Sequence, residues 1–376
     1  MYYTIHMDKS KKELNLQTSW NFYTTNEGGW DAMLQACESA KETIDLEQFI
    51  FITNDIGNKF IEVCSRKAKQ GVRVRFLWDA AGSFKFFSTE TIEELRMKGI
   101  ELVFFKTLLP SIFKFHNYRS WYLRNHKRTL VVDNKIGFTG SVCFSDEMKN
   151  WRDTVVRLEG PVVDEMRKEF ERTWNRALRK KDTGLGEKIQ TIKSSEEFRY
   201  VTNYPFIRKH FLYKETIDAI KNARKNIYIT TPYFVPTRHL SRAIRGAGKR
   251  GVEIKIIVPL WSDHPIVDLC SRSFYTRMLK AGIKIYLYKG EMIHSKTMIV
   301  DDKWSSVGTL NLDAVSLLYN FEANIVSTNP LFTEDLAKHF NTDLKDTEEI
   351  TFEMWENRFW VEKFFGFFAR FLRDFL

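Results

Sequence analysis

The chain has 376 residues, 43% of them hydrophobic and 28% charged, with a formal net charge of +10. That balance excludes a disordered or collagen-like chain and has room for two domains or one large one. The positive excess favours a polyanionic partner, be it nucleic acid, an anionic membrane surface or a phosphate-bearing substrate.

In chain order, residues 1–19 form an N-terminal segment with no apolar stretch of the secretory kind. No run of about 18 apolar residues anywhere suits a membrane span. "TIDLEQFIF" (Thr43 to Phe51), "KQGVRVRFLWD" (Lys69 to Asp79) and "KGIELVFFK" (Lys98 to Lys106) each predict a strand, the last two entered from a helix stopped by glycine,. "NIYITTPYF" (Asn226 to Phe234), "KRGVEIKIIVP" (Lys249 to Pro259) and "AGIKIYLYK" (Ala281 to Lys289) repeat the series. The chain is therefore a tandem duplication: a first domain over 20–180, a polar linker over 181–197, a second domain over 198–350 and a tail over 351–376. Strands alternating with helical stretches predict α/β halves with a mixed or mostly parallel sheet in each. A helix over Asp164 to Ala177 places Met166, Phe170 and Trp174 on one face. The four cysteines (Cys37, Cys64, Cys143 and Cys270) lie far apart without metal-ligand spacing, as free thiols of a reducing compartment do,. Neither metal nor cofactor is expected.

The chemistry sits in the repeat. "HSKTMIVDD" begins His294-x-Lys296 and reaches Asp301, Gly308, Thr309 and Asn311. Its earlier copy reads His126, Arg128, Asp133, Gly140, Ser141 and Cys143. Each residue lies 168 positions from its counterpart (294 against 126, 308 against 140). Residues two apart on a strand share a face, so each histidine points with its cation, and a pocket between the halves would hold two histidines and two cations. That set suits phosphoryl transfer. One neutral imidazole attacks phosphorus, and the other, protonated, supplies a proton to the leaving oxygen. Lys296 and Arg128 offset the phosphoryl charge, and Ser141, Thr309 and Asn311 donate hydrogen bonds to it. Asp133 and Asp301 end strands and are structural. A catalytic imidazole needs an acid on its second nitrogen. Each half offers one, Asp153 and Glu322, 27 and 28 residues past its histidine.

The duplicated motif resembles the HKD signature of the phospholipase D superfamily. "HSKTMIVDD", "VGTLNLD", "NFEAN", "TPYFVP", "FTGS" and "WRDT…EGP" resemble its bacterial cardiolipin synthase branch, over about residues 20 to 345. The resemblance implies two tandem α/β/α sandwich halves with the active site at their interface, and ping-pong transfer through phosphohistidine with His126 as nucleophile. It also implies phosphatidylglycerol as both phosphatidyl donor and acceptor, with glycerol released. Two positions depart from the family pattern: Arg128 stands where lysine is usual, and Cys143 where asparagine is common.

The partner follows from the aromatic segments. As a helix, "WENRFWVEKFFGFFARFLRDFL" (Trp355 to Leu376) sets Trp360, Phe364, Phe368 and Phe371 opposite a charged face, the pattern of an interfacial helix,. Ahead of His126, Phe113, Phe115 and Trp121 interleave with Lys114, Arg119 and Arg124, as headgroup-dipping wedges do,. The expectation is a peripheral enzyme on the cytoplasmic face of the cell membrane, acting on anionic phospholipid. A nuclease of the same superfamily is the first alternative, but such an enzyme has no use for the Phe-rich tail, so nucleic acid is disfavoured. A hydrolytic phospholipase D and a non-enzymatic lipid-binding protein are the others.

Overall fold

The computed structural model describes residues 17–83, 88–105, 123–178, 197–205 and 209–358. The first half opens with β1 (Ser19–Thr25), and the Thr25 hydroxyl caps helix α1 (Asn26–Ser39) by accepting from the Gly28 N–H,. Two crossover units follow: β2 (Thr43–Gln48), α2 (Asp55–Lys69), β3 (Arg73–Asp79), α3 (Thr89–Met97) and β4 (Ile100–Phe105). The chain then returns through β5 (Thr129–Val132), β6 (Ile136–Gly140) and β7 (Arg152–Glu159) and ends the half in α4 (Val162–Ala177).

The second half repeats the plan. It runs β8 (Phe198–Tyr204), β9 (Lys209–His210), α5 (Phe211–Asn222), β10 (Asn226–Thr230), α6 (Arg238–Lys249), β11 (Glu253–Pro259), α7 (Pro265–Leu279) and β12 (Lys284–Tyr288). The return is β13 (Thr297–Val300), β14 (Trp304–Gly308), the short α8 (Ala314–Leu318) and β15 (Glu322–Ser327). Last come α9 (Pro330–Lys345), β16 (Thr347–Ile350) and α10 (Phe352–Glu356).

The strands form two sheets, ordered β1-β7-β6-β5-β2-β3-β4 and β16-β12-β11-β10-β13-β14-β15-β8-β9. Only β2-β3-β4 and β10-β11-β12 pair in parallel. The sheets are mixed, not mostly parallel, because β5-β6 and β13-β14 are tight hairpins, which can join only antiparallel strands,.

The hairpin turns account for the motif aspartates. Asp133 and Asn134 have φ of 51° and 52°, and Asp301 and Asp302 have 55° each. Two consecutive left-handed residues make the turn whose twist matches a hairpin, and Asp and Asn tolerate it best among side chains with a Cβ. The Asp133 carboxylate accepts from the backbone N–H of Lys41, Glu42 and Thr43 at 2.7–2.9 Å. Asp301 accepts likewise from Arg224, Lys225 and Asn226. Each aspartate thus ties the entrance of β2 or β10 to the hairpin that leads out of the histidine motif.

The halves share a core. Val131, Val156, Leu158 and Met166 meet Val307, Ala323, Ile325 and Phe332 across the interface. Phe170 and Trp174 of α4 pack with Tyr204 and Phe321 of the second half. The stripe predicted on this helix is present, and it seals the two halves together. At the start of the expected tail, Trp355 in α10 is buried against Tyr275 of α7, ring centroids 5.1 Å apart, and belongs to the second half's core. The membrane-contact candidates, Phe113, Phe115, Trp121, Trp360, Phe364, Phe368 and Phe371, lie outside the described residues, as does nearly all of the linker. Among the described residues no helix is long and apolar enough to cross a membrane.

Candidate active site

Both histidines lie just ahead of their strands, β5 and β13, and each is clamped by backbone to the opposite half. His126 N donates to Phe321 O at 3.0 Å, and Phe321 N donates to Arg124 O at 2.8 Å. In the mirror arrangement, His294 N donates to Arg152 O and Arg152 N to Met292 O, both at 2.8 Å. Phe321 and Arg152 directly precede the two acids, so each clamp delivers a carboxylate of one half to the imidazole of the other. His126 Nδ1 lies 2.8 and 3.0 Å from the oxygens of Glu322, and His294 Nδ1 lies 2.8 Å from Asp153 Oδ2. One acid per half is present, but the pairs are crossed: neither half alone contains an oriented histidine. The Arg152 guanidinium locks the crossing by gripping Asp343 of α9 bidentately at 2.6 and 2.7 Å,.

The glycines after the motifs make room for this. A Cβ on Gly140 would stand 2.2 Å from Thr154 O, and one on Gly308 2.3 Å from Ala323 O. Without side chains, β6 and β14 can approach the strands that carry Asp153 and Glu322. The next residues point the same way and correct an expectation. Ser141 donates its hydroxyl to Asp153, and Thr309 donates its own to Glu322. Ser316 adds a second hydroxyl on Glu322. These hydroxyls are buried and spent on the acids, fixing them, and are not offered to a substrate phosphate. Asn311 does line the cavity, and its Oδ1 has no partner among the described residues.

Of the two cations, Arg128 lines the cavity. Arg128 is 3% exposed, and its Nη2 lies 3.1 Å from His126 Nε2. Its Nε and Nη1 have no partner among the described residues, and it forms no ion pair there. A guanidinium has no lone pair to offer, so the proton in this contact belongs to Arg128, and His126 carries its own proton on Nδ1, toward Glu322. Lys296 is 2% exposed and donates to His294 O at 2.8 Å. A buried, unpaired guanidinium is costly unless an anion arrives to meet it.

Burial sets the protonation states. It holds the His126 imidazole down to about 4, with Arg128 adding to the effect against the pull of Glu322. It does the same to His294, also to about 4, with Lys296 adding. Lys296 is lowered to about 7, first by burial and then by the charge of Arg128. Neither histidine is thus protonated in the resting protein at neutral pH. The expected protonated partner must gain its proton when negative charge enters the site.

Sequence reasoning missed two groups. Lys127, between His126 and Arg128, points away from the cavity and is fully buried, 2.9 Å from Glu169 and 3.3 Å from Glu47. Asn125 donates to Glu47 at 2.7 Å and completes the plug beneath His126. The period-2 alternation of "RNHKRT" held that signal, because odd and even residues there take opposite faces. The second group lines the cavity, of about 270 Å³: Phe49, Ile50, Trp151, Tyr233, Asp263, His264, Asp313 and Asn320 beside the motif residues. No spacing rule marks these residues; loops bring them together.

Two α/β halves sharing one buried pair of carboxylate-bound histidines define a phosphoryl-transfer enzyme of the phospholipase D type. A family model described as "Cardiolipin synthase, PLD-like domain" matches residues 33–174 and 216–344. The cardiolipin synthase of Halalkalibacterium halodurans is 32% identical over 358 residues, covering 92% of this chain and 70% of that protein. Cardiolipin synthase A of Proteus mirabilis is 31% identical over 349 residues, covering 89% and 71%. The crystal structure of a phosphatidylserine synthase from Haemophilus influenzae superposes with a TM-score of 0.75 at 14% identity, covering 98% of this chain and 99% of that one, and so shares the fold. The chain belongs to the cardiolipin synthase family of phospholipase D-like proteins, phosphatidyltransferases that act on phospholipids.

Proposed function

We propose that the protein is a cardiolipin synthase that joins two phosphatidylglycerol molecules and releases glycerol through a phosphohistidine. The observation that carries this reading is the Arg128 guanidinium. It is buried beside the His126–Glu322 pair, with its Nε and Nη1 free for a phosphodiester.

The tautomer supports His126 as the nucleophile. Its Nδ1–H is held by Glu322, so the Nε2 lone pair points at the site of attack, and it is neutral at working pH. As the phosphodiester binds, Arg128 swings its donors onto the phosphoryl oxygens and uncovers Nε2. The incoming negative charge raises His294, which takes up a proton on Nε2 while Asp153 holds Nδ1,. The His126–phosphorus bond forms, the glycerol oxygen–phosphorus bond breaks, and His294 gives its proton to the departing glycerol. A second phosphatidylglycerol then delivers its terminal hydroxyl to phosphorus. His294 takes that proton back, and the His126–phosphorus bond breaks. The membrane is the source of both lipids, and the Phe-rich segments at 113–121 and 360–371 are the proposed contacts with its anionic surface,.

Mass spectrometry of lipids after incubation with phosphatidylglycerol liposomes tests the reading. Cardiolipin and glycerol are expected from the native protein, and neither from His126→Ala or His294→Ala. Phosphatidic acid as the only product would make it a hydrolase, and full activity in either variant would remove the two-histidine scheme.

A further inference from the structure

The parallel strands point their C-terminal ends at the cavity. Phe49 and Ile50 follow β2, Tyr233 follows β10, and Asp263 and His264 follow β11, and all five line it. The stretch between β11 and the first turn of α7 is part of its rim, since Asp263, His264 and Val267 face the cavity. In the same stretch Trp261 is 63% exposed and Ile266 57%. An exposed apolar side chain here and there is ordinary. Two large ones within six residues, at the mouth of a cavity in a family that acts on phospholipids, are a concentration.

The exposure of Trp261 is built into the fold, because both of its neighbours are pinned. Leu260 N–H donates to Tyr288 O at 3.0 Å, and Arg272 Nη2 donates to Leu260 O at 2.9 Å. Ser262 N–H donates to the buried Asp268 carboxylate at 2.9 Å. The Arg272 guanidinium lies over the indole, 4.2 Å from the ring centroid. An aromatic ring with a cation against it suits the boundary between headgroups and acyl chains, where tryptophan concentrates. The one carboxylate of the loop, Asp263, is engaged on the cavity side, accepting from the Tyr233 hydroxyl at 2.6 Å. Arg238 and Arg242 are exposed on the first two turns of α6, which starts from the same end of the sheet, and add positive charge there,.

The end of the described chain points the same way. The ring of Phe352 lies 5.5 Å from Lys280 Nζ, while Trp355 and Glu356 reach back to Tyr275 and Thr276. Helix α10 therefore runs antiparallel to α7, and the chain heads from it toward the N-terminus of α7, where the exposed loop stands.

We propose that the loop between β11 and α7 is a membrane-docking surface: Trp261 and Ile266 enter an anionic phospholipid bilayer, and so seat the cavity mouth on the lipid it draws from. This rests on the function proposed above, and adds a contact carried by the rim of the site itself. A phosphodiester buried in a headgroup layer then reaches Arg128 without its acyl chains crossing water.

The test reads depth, not turnover. All four cysteines are buried, so a nitroxide thiol label on Trp261→Cys reports position 261 alone, provided that the native protein takes up none. Met97→Cys is the control, because Met97 is 82% exposed and ends α3 where the chain enters β4, at the end of the sheet away from the cavity. On vesicles of phosphatidylglycerol and phosphatidylcholine, the label at 261 is expected to gain collisions with oxygen and lose them with a water-soluble nickel chelate. The label at 97 should keep its aqueous values. Ile266→Cys carries the same reading should Trp261→Cys not accumulate as folded protein. A label at 261 that stays in water on vesicle-bound protein overturns the surface. So does one that is covered without vesicles as protein concentration rises, which would assign the patch to a second copy of the chain. In kinetics, Trp261→Ala with Ile266→Ser should lower kcat/KM on phosphatidylglycerol vesicles by about tenfold or more, yet leave transfer from a short-chain phosphatidylglycerol dissolved as monomers within about twofold. An equal loss on both substrates would overturn the docking role. If cardiolipin forms while the label stays in water, only this surface falls. If the label enters lipid and no cardiolipin forms, the surface stands and the synthase reading falls.

Discussion

His126 and His294 are held uncharged by burial, and this has a thermodynamic consequence. Their ordinary value is 6.5 and each is lowered to about 4. Between these values the unfolded chain binds protons that the folded protein refuses, so stability rises with pH across the window and is lost on acidification. Denaturant unfolding at pH 7 and pH 4.5 should show a loss that His294→Gln reduces by about 2 kcal/mol,. An equal loss in both proteins would mean that the imidazole is protonated at no cost. At Arg128, lysine would keep the charge but not the fork. Activity of Arg128→Lys within about tenfold of native is expected if charge is what the phosphodiester needs, and kcat/KM on phosphatidylglycerol vesicles measures it. Asp133 belongs to the turn. Asp133→Ala should cost about 2–3 kcal/mol of stability through three lost backbone hydrogen bonds and a strained left-handed φ, with turnover per folded molecule unchanged.

At the level of elements, the crossing makes β7 and β15 the parts that orient the site. Asp153 on β7 serves His294, and Glu322 on β15 serves His126, so the two acids should fail differently. Asp153→Asn leaves the nucleophile oriented and should let acid-labile phosphohistidine accumulate from an activated donor while turnover drops roughly 10²–10⁴-fold. Glu322→Gln should block formation of the intermediate. Radiolabelled donor followed by acid quench separates the two, and identical labelling in both variants would reject the division of labour. The spacing of 27 and 28 residues made both acids legible in the sequence. Their exchange between halves was not, because it depends on two backbone bridges, Asn125 with Phe321 and Arg152 with Ile293, that no local pattern encodes.

For the molecule as a whole, the shared core and the crossed acids make the halves one catalytic unit, and the region after α10 is the proposed membrane contact. Ending the chain after Arg358 keeps Trp355 on Tyr275. Melting should be unchanged and binding to anionic liposomes reduced, as the amphipathic pattern of 360–371 implies. Ending it after Ile350 removes Trp355 from the core and should lower Tm by several degrees, since losing a buried Trp costs about 3 kcal/mol or more. Co-sedimentation and calorimetry on the two truncations check this. Equal liposome binding by the full chain and the first truncation would assign the membrane contact elsewhere.

The sequence by itself determined the duplication, the two histidines and their cations, and the strand ends at Asp133 and Asp301. These are local or periodic properties: strand alternation, glycine stops and an offset of 168 repeated without slippage. It also carried the family resemblance. Only the tertiary structure decided which acid serves which histidine, that Ser141 and Thr309 are spent on those acids, and that Lys127 is buried away from the site while Arg128 faces it. Those outcomes depend on how two sheets dock and on which buried polar atoms are left with a partner. That accounting closes over residues up to 196 positions apart, as His126 and Glu322 are,.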